Sequence, residues 1–318
     1  IRVMAALLML VMSVALARLL TPADFGVVSL GLSLLAIVGT IVTLGTDVSS
    51  IRNISASQAE EDALYVNTVI SLGAKFTLFW GWGTSAICSL FVWFALSAMP
   101  SDERVIVCFI VMGAPFLGYS MNRAGVMKGL GSVIGAAAIE GISRPLCVIL
   151  LLLALCVFNL SSQLKSSGAA TLIFASLLLT ALIAARLVSR RRVPAPGLVG
   201  KNTRRALLVQ SLPMCASAVI VILLSNIEIV FVGALLGSDQ AGVYKASMQL
   251  AMLVSFGLSA VNGVIAPSLA RYYGSGRLIE MQYLLRYASG LICLIGGAAA
   301  AFTALYVTSY VARCLPKS

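Results

Sequence analysis

The sequence predicts an all-α, polytopic membrane protein, and three observations carry this prediction. Of 318 residues, 60% are hydrophobic and only 10% are charged, whereas a soluble domain carries about 25% charged residues. Apolar runs of about 20 residues, each long enough to cross a hydrocarbon core about 30 Å thick, recur along the whole chain. The runs lack the alternating stretches of about ten residues that are typical of barrel strands. Since lipid offers the backbone no hydrogen-bond partner, we expect the runs to be helices.

Hydropathy predicts about nine transmembrane helices, separated by short loops. The predicted spans are residues 3–20, 26–46, 66–97, 105–121, 132–158, 169–187, 207–235, 241–267 and 283–310. Turn-forming residues lie between them, with Pro22 after the first span, Pro100 after the third, Pro194 and Pro196 after the sixth, and Gly237 after the seventh. No predicted loop is long enough to form a domain by itself.

Basic residues are distributed unequally between the two sides of the predicted bundle. One side collects Arg2, Arg52, Lys75, Arg123, Lys128, Arg186, Arg190, Arg191, Arg192, Lys201, Arg204, Arg205, Arg271, Arg277 and Arg286. The other side has Arg18, Arg104, Lys165, Lys245, Arg313 and Lys317. Because basic loops stay in the cytoplasm, the N-terminus is predicted to be cytoplasmic.

A weak internal repeat predicts the arrangement of the helices. The segment LLTPADFGV at residues 19–27 resembles LLGSDQAGV at residues 235–243, and each lies between consecutive spans. Six spans separate the copies, which is typical of parallel repeats. We therefore predict a six-helix lobe at residues 1–205, ending in a basic cytoplasmic linker, and the first three helices of a truncated second lobe at residues 206–318. The chain is also expected to lack its natural first residues.

Composition excludes several classes of function. The chain has no histidine, which removes the commonest metal ligand and general base. Its seven cysteines are not arranged in C-x-x-C pairs. We therefore expect no metal, no cofactor and no catalytic residues, and the protein is not predicted to be an enzyme. The net charge of +11 is explained by membrane topology rather than by nucleic-acid binding.

Three segments resemble one transporter family. The segment ARLLTPADFG at residues 17–26 resembles the first hairpin of Wzx-type polysaccharide flippases. The segments GVYKAS at 242–247 and PSLAR at 267–271 resemble the eighth-helix signatures of the same family. This family is part of the multidrug/oligosaccharidyl-lipid/polysaccharide exporter superfamily, whose members have two lobes around a central cavity.

The resemblance implies a substrate and a location. It implies that the protein moves undecaprenyl-diphosphate-linked oligosaccharide repeat units across the bacterial inner membrane, for O-antigen (lipopolysaccharide), capsule or exopolysaccharide. Such a substrate needs a sheltered polar path for its glycan and cationic groups for its diphosphate, while its polyprenyl tail stays among the membrane lipids. Alternating access of a central cavity to the two sides would provide this path.

Charged residues inside the predicted spans are the candidate site residues, because such residues usually face a bundle interior or water. Glu140 and Arg144 are four residues apart on the fifth span and are expected to form an ion pair, with Pro145 permitting a bend. Arg144 would bind substrate phosphate with Glu140 tuning it, or the pair would serve packing alone. Both interpretations remain open at this stage.

Other charged residues are candidates for coupling and for capture of the substrate. Glu228 on the seventh span is the candidate for coupling transport to a proton or a sodium ion, or else a carboxylate bonded to a neighbouring helix. Lys75 and Arg123 either snorkel toward lipid headgroups or capture lipid diphosphate from the inner leaflet. Lys245 is a similar candidate at the outer end.

Three alternatives to the flippase stay open. A multidrug or cation antiporter of the same superfamily would share the fold but would favour acidic and aromatic cavity residues. A membrane polysaccharide polymerase or ligase would need catalytic groups in the outer loops, which are short and contain no histidine. A nonfunctional remnant of a transporter is the third alternative.

Overall fold

Nearly every residue placed in the computed structural model is helical. The structure describes residues 2–59, 63–157, 165–190 and 201–249, together with 251, 272, 277, 279–287, 289–290, 293–294, 297 and 301. The helices are α1 Arg2–Leu19, α2 Pro22–Thr43, α3 Thr46–Ala59, α4 Ala63–Ala95, α5 Ser101–Val111, α6 Ala114–Gly129, α7 Val133–Ala137, α8 Arg144–Val157, α9 Ser166–Ser189 and α10 Lys201–Leu236. A π-helical segment, Ala138–Ser143, joins α7 to α8, and residues 238–249 form α11. No strand occurs within these described parts of the chain.

Six helical stretches of the described residues are long and apolar enough to cross a membrane. They are Pro22–Thr43, Leu64–Ala95, Ser101–Gly129, Val133–Val157, Ser166–Ser189 and Ser211–Leu236, and Met4–Leu19 is a shorter apolar helix. These match the first seven predicted spans, and the predicted class of a polytopic helical membrane protein is confirmed. Large apolar side chains cover the outside of the bundle, where Phe79 is 90% exposed, as expected where lipid is the solvent. The eighth and ninth predicted spans lie largely outside the described residues.

Helix α2 is the central element of the bundle. Its most apolar stretch is 72% buried, the largest share of any candidate span. The main apolar core combines α2 residues such as Val28 and Leu35 with Leu16 of α1, Ile110 of α5 and Leu177 of α9. A helix surrounded in this way must be apolar on all sides, and α2 carries a single charged residue, Asp24, in its first turn.

The α1–α2 turn is closed by a side-chain cap. Thr21 precedes α2 in extended conformation, and its Oγ1 accepts a hydrogen bond from the Asp24 backbone N–H at 3.2 Å. Pro22 follows at the first helical position, where its missing N–H costs nothing. Asp24 also accepts a hydrogen bond from the Ser166 backbone N–H, at 3.1 Å, at the start of α9. The Asp24 carboxylate therefore caps the N-terminus of α9 and lies in the first turn of α2, and a negative charge is favourable at both helix N-termini.

Helix α3 is polar and was not predicted, because the hydropathy criterion finds only apolar spans. The chain breaks sharply before it, at Leu44 with φ 46° and Gly45 with φ 72°, a left-handed conformation that favours glycine. Helix α3 then packs against α6, where Asn122 Nδ2 donates to Thr46 Oγ1 at 3.0 Å. Ser55 Oγ donates to the Gly129 carbonyl at 3.3 Å near the other end of α3.

By its internal contacts the chain groups into two units, residues 1–246 and residues 247–318. The first unit contains α1 to α10 and most of α11. In the second unit, Arg277 Nη2 and Glu280 Oε1 form an ion pair at 2.7 Å, and this partner lowers the pKa of the Glu280 carboxyl. The division of the chain into lobes at residues 205 and 206 stays a prediction.

Close packing of α6 on α3 gives a first test of this fold. A Cβ atom on Gly125 would lie 2.2 Å from the Asp47 carbonyl oxygen of α3, so we expect Gly125→Ala to destabilise the protein by about 1–3 kcal/mol. Gly83→Ala on α4 is the matched control, because a Cβ there meets nothing within 4 Å. Thermal unfolding in detergent should show a lower midpoint for Gly125→Ala only. Equal midpoints for the two variants would contradict the α3–α6 packing.

Candidate functional site

A π-helical segment positions the arginine in the middle of the fifth predicted span. Residues Ala138–Ser143 interrupt the α-helical ladder between α7 and α8, and Arg144-Pro145 follows directly. Proline has no N–H and its ring clashes with the carbonyl four residues earlier, so a regular α-helix cannot continue through Pro145 without distortion. Such π-helical turns relieve this conflict locally and are frequent at functional sites. The sequence therefore builds an irregular backbone directly before Arg144.

The predicted ion pair between Glu140 and Arg144 is wrong. Glu140 Oε1 instead lies 2.6 Å from Lys128 Nζ, at the end of α6. The i, i+4 rule assumes an α-helix, whereas Glu140 stands in the π-helical segment, where the backbone hydrogen bonds run from i to i+5. The Lys128–Glu140 pair is partly exposed, with side chains 37% and 43% accessible, so it ties α6 to the π-helical segment without burying either charge.

Arg144 lies near a second cation, and no carboxylate of the described residues forms an ion pair with it. Lys245, on α11, is close enough to Arg144 for their charges to interact, and both side chains are partly buried. Among the described residues, neither cation forms an ion pair or a side-chain hydrogen bond. Two like charges held together in a low-dielectric environment repel each other, and an anion between them would remove this repulsion. We call Arg144 and Lys245 the cation pair, and two neighbouring cations are an arrangement that can bind an anion.

Glu228 is hydrogen-bonded to a neighbouring helix, as its alternative interpretation expects, although the sequence did not identify the partner residue. Tyr244 Oη, on α11, donates a hydrogen bond to Glu228 Oε2, on α10. The nearby amide of Asn226 is occupied by its own helix, because Nδ2 donates to the Ile222 carbonyl at 2.9 Å. Tyr244 and Lys245 are consecutive residues, so α11 contacts the candidate coupling carboxylate and contributes to the cation pair. The sequence signal that could have pointed to Tyr244 as the partner of Glu228 was its position next to the candidate residue Lys245.

Arg123 lies inside the bundle, which does not fit the snorkelling interpretation. Its side chain is 2% exposed, its Nη2 donates to the Ile70 carbonyl of α4 at 3.0 Å, and its guanidinium lies 4.9 Å from the centre of the Tyr119 ring. The hydrogen bond to Ile70 joins α6 to α4, whereas Tyr119 lies on α6 itself. Both contacts are made away from Arg144 and Lys245, so the structure does not bring Arg123 into the cation pair.

Lys75 is the remaining candidate cation, and it is exposed on α4. No described contact joins it to Arg144, Lys245 or Glu228. The structure therefore brings together two of the five predicted substrate-binding residues, Arg144 and Lys245. Glu140 binds Lys128, Arg123 is part of the packing between helices, and Lys75 stands alone among the described residues.

No metal site is found in the described part of the chain, since no three residues among His, Cys, Asp and Glu are grouped there. Ion coupling through such a site would need carboxylates or hydroxyls to converge. Glu228, which accepts its described hydrogen bond from Tyr244, does not belong to such a group.

Comparison with known proteins gives two similarities. A family model described as "polysaccharide biosynthesis protein" matches residues 1–273. A solved structure, described as the inward-facing conformation of a multidrug resistance MATE family transporter of the MOP superfamily, aligns with a TM-score of 0.66 and 17% sequence identity. The alignment covers 95% of this chain and 70% of that one, and at this identity it shows the fold alone. A search of curated protein sequences gives no match.

The exchange of partners at Glu140 can be measured with double-mutant cycles. We expect Lys128→Met and Glu140→Gln to show a coupling free energy of about 0.2–1 kcal/mol in thermal unfolding, the usual range for a partly exposed ion pair. Glu140→Gln combined with Arg144→Met serves as the control and should show no coupling. A larger coupling in the control cycle than in the first would restore the Glu140–Arg144 pair.

Proposed function

Because the chain belongs to the polysaccharide biosynthesis protein family, we propose that it is a flippase for lipid-linked oligosaccharides. The substrate class that we propose is undecaprenyl-diphosphate-linked repeat units, moved across the bacterial inner membrane by alternating access, with the N-terminus in the cytoplasm. The products of this transport would be O-antigen, capsule or exopolysaccharide. The observation that carries the proposal is the cation pair of Arg144 and Lys245 inside a helical membrane bundle.

The cation pair suits the diphosphate of such a substrate. Arg144 offers a planar fork of donors that can bind two phosphate oxygens at once, and Lys245 adds a compact charge. The diphosphate would supply the anion that these two cations lack among the described residues. Binding would also remove their mutual repulsion, so the affinity for the anion includes the relief of an unfavourable contact. This relief favours an anionic over a cationic substrate.

The two predicted lobes explain how the site would open to each side in turn. We retain residues 1–205 as the first lobe and residues from 206 onward as part of the second. Arg144 belongs to the first lobe and Lys245 to the second, so a substrate held by both residues would bridge the lobes. The fold shared with a transporter of the MOP superfamily supports this arrangement.

Glu228 is the proposed site of ion coupling. Its carboxylate accepts a hydrogen bond from Tyr244, next to Lys245, so a change of charge at Glu228 acts on the helix that carries half of the cation pair. A proton or a sodium ion could neutralise this carboxylate. Exposed Lys75 remains the proposed capture residue for lipid diphosphate at the inner leaflet, with the membrane lipids as the surrounding solvent for the tail.

Rescue of surface polysaccharide in a flippase-deficient bacterium tests the function and the cation pair together. We expect the parent protein to rescue, and Arg144→Ala or Lys245→Ala to lower the rate at least about tenfold, because each loses charged hydrogen bonds to the phosphate. Arg190→Ala, an exposed arginine after α9, is the control and should rescue fully at matched membrane levels. Full rescue by all variants would discard the cation pair. Failure of the correctly inserted parent across several glycan pathways would instead favour the antiporter.

Transport into vesicles under a proton or sodium gradient tests the coupling site. Glu228→Gln keeps the shape of the side chain but removes its charge, so we expect it to abolish stimulation by the gradient. Tyr244→Phe removes one donor and should reduce the stimulation only in part. Asn226→Ala is the matched control, because its amide bonds its own helix. Stimulation that survives Glu228→Gln would assign coupling to another residue.

A further inference from the structure

An open groove follows one face of the helix formed by residues 279–287, which we label α12. At 3.6 residues per turn, the five lining positions of this helix fall within a sector of roughly 140°. The groove has a volume of about 370 Å³, which is in the range of sites that bind small molecules. Its described lining residues are Tyr272, Ile279, Glu280, Tyr283, Leu284 and Tyr287. The walls are therefore aromatic and aliphatic, with one carboxylate.

A pair of opposite charges is fixed beside the groove. Arg277 Nε and Nη2 both donate to Glu280 Oε1, at 2.9 and 2.7 Å. The Arg277 guanidinium carbon lies 5.6 Å from the centre of the Tyr272 ring, within the range of a cation–π contact. The Arg277 backbone N–H also donates to the Tyr272 carbonyl at 3.0 Å. Arg277 thus contacts two lining residues, and we call Arg277 and Glu280 the groove pair.

The groove pair is accessible to a ligand. The side chains of Arg277 and Glu280 are 59% and 43% accessible. Both of their mutual hydrogen bonds use Nε and Nη2 of the arginine, so Nη1 has no hydrogen bond to any side chain in the described part of the chain. An exposed ion pair contributes little to stability. A ligand can therefore bind both charges without disrupting the packing of the protein.

The groove lies where the sequence predicts a boundary between water and lipid. Hydropathy starts the ninth predicted span at Tyr283, so the groove pair is expected on the water side of this boundary. Tyrosine is enriched at membrane interfaces, because its ring is apolar and its hydroxyl is polar. The Tyr283 side chain is 77% exposed. A groove open at this level meets lipid headgroups, and in the orientation that we propose these belong to the cytoplasmic leaflet.

The charges of the groove pair select one kind of headgroup. An anionic headgroup would pair with Arg277 but would bring a like charge to Glu280, and a soluble cation would meet the reverse problem. A headgroup with one phosphate and one primary ammonium satisfies both residues, because the phosphate accepts from Arg277 and the ammonium donates to Glu280. A trimethylammonium has no N–H to donate. The tyrosine faces offer the ammonium a further attraction.

We propose that the groove on α12 is a binding site for phosphatidylethanolamine, with Arg277 on the phosphate and Glu280 on the ammonium. The tyrosine and aliphatic walls contact the part of the lipid next to the headgroup, and the acyl chains stay in the bilayer. The site is separate from the cation pair, since its lining residues all lie between 272 and 287. Its role as a lipid site is independent of the substrate that the protein moves.

Native mass spectrometry of the purified full chain, with three lipids added in equal amounts, tests the preference. We expect phosphatidylethanolamine to bind about tenfold more tightly than phosphatidylcholine or phosphatidylglycerol, because only its headgroup bonds both members of the groove pair. Glu280→Gln leaves Arg277 alone and should bind phosphatidylglycerol most tightly. Arg286→Gln, on α12 but outside the groove lining, is the matched control and should keep the order of the parent. A parent that binds the three lipids alike, or an order unchanged by Glu280→Gln, would overturn the proposal.

Fluorescence quenching tests the position of the lipid. In a background with the three native tryptophans replaced by phenylalanine, Tyr283→Trp places a single fluorophore in the groove. In phosphatidylcholine vesicles, a small fraction of phosphatidylethanolamine with brominated chains should quench this fluorophore several times more strongly than brominated phosphatidylcholine does. Adding Arg277→Gln and Glu280→Gln should make the two brominated lipids quench equally. Equal quenching while the groove pair is intact would overturn the site, whether or not the protein flips glycans.

Discussion

The cost of holding positive charge inside an apolar helical bundle is the constraint on which the rest of this structure depends. Hydrocarbon gives neither water nor counterions, so a buried cation needs a partner, and its penalty without one is several kcal/mol. Arg123 is stabilised by a backbone carbonyl and an aromatic ring. Arg144 receives neither a carboxylate nor a hydrogen bond among the described residues and lies near Lys245. This difference distinguishes Arg123, which packs between helices, from Arg144, the residue that we propose binds the anion of the substrate.

The sequence predicted those features that depend on hydropathy and on single residues. It predicted the helical membrane class, the first seven spans and Arg144 as an intramembrane cation. The length of an apolar run and the charge of a residue do not depend on contacts with other segments. The sequence did not predict helix α3, whose hydrogen bonds to Asn122 and Gly129 come from distant parts of the chain. It assigned Glu140 to Arg144 because the π-helical turn is not visible in the spacing of side chains. Tyr244 was missed because its bond to Glu228 depends on how α10 and α11 pack, which the spacing of residues along the chain does not show.

Helix α11 connects the parts of the proposed mechanism. Within about one turn it carries Gly242 at the crossing with α2, Tyr244 at Glu228, and Lys245 beside Arg144. A movement of this helix would therefore alter its packing on α2, the contact with Glu228 and the cation pair at the same time. Coupling between Glu228 and the cation pair would then come from one rigid helix that has two positions, and it would need no series of small side-chain movements. The two copies of the weak sequence repeat lie where α11 contacts α2.

Flipping by the purified protein is the most direct measurement of the central claim, that the protein carries anionic lipid-linked glycans across a membrane. Proteoliposomes would contain a lipid-linked oligosaccharide, and a glycosidase added outside would report the fraction of glycan that becomes accessible with time. If the protein is such a flippase, accessibility rises with the amount of protein and falls when undecaprenyl diphosphate competes. Accessibility that stays at the level of protein-free vesicles, while the same protein exports a cationic dye, would contradict it.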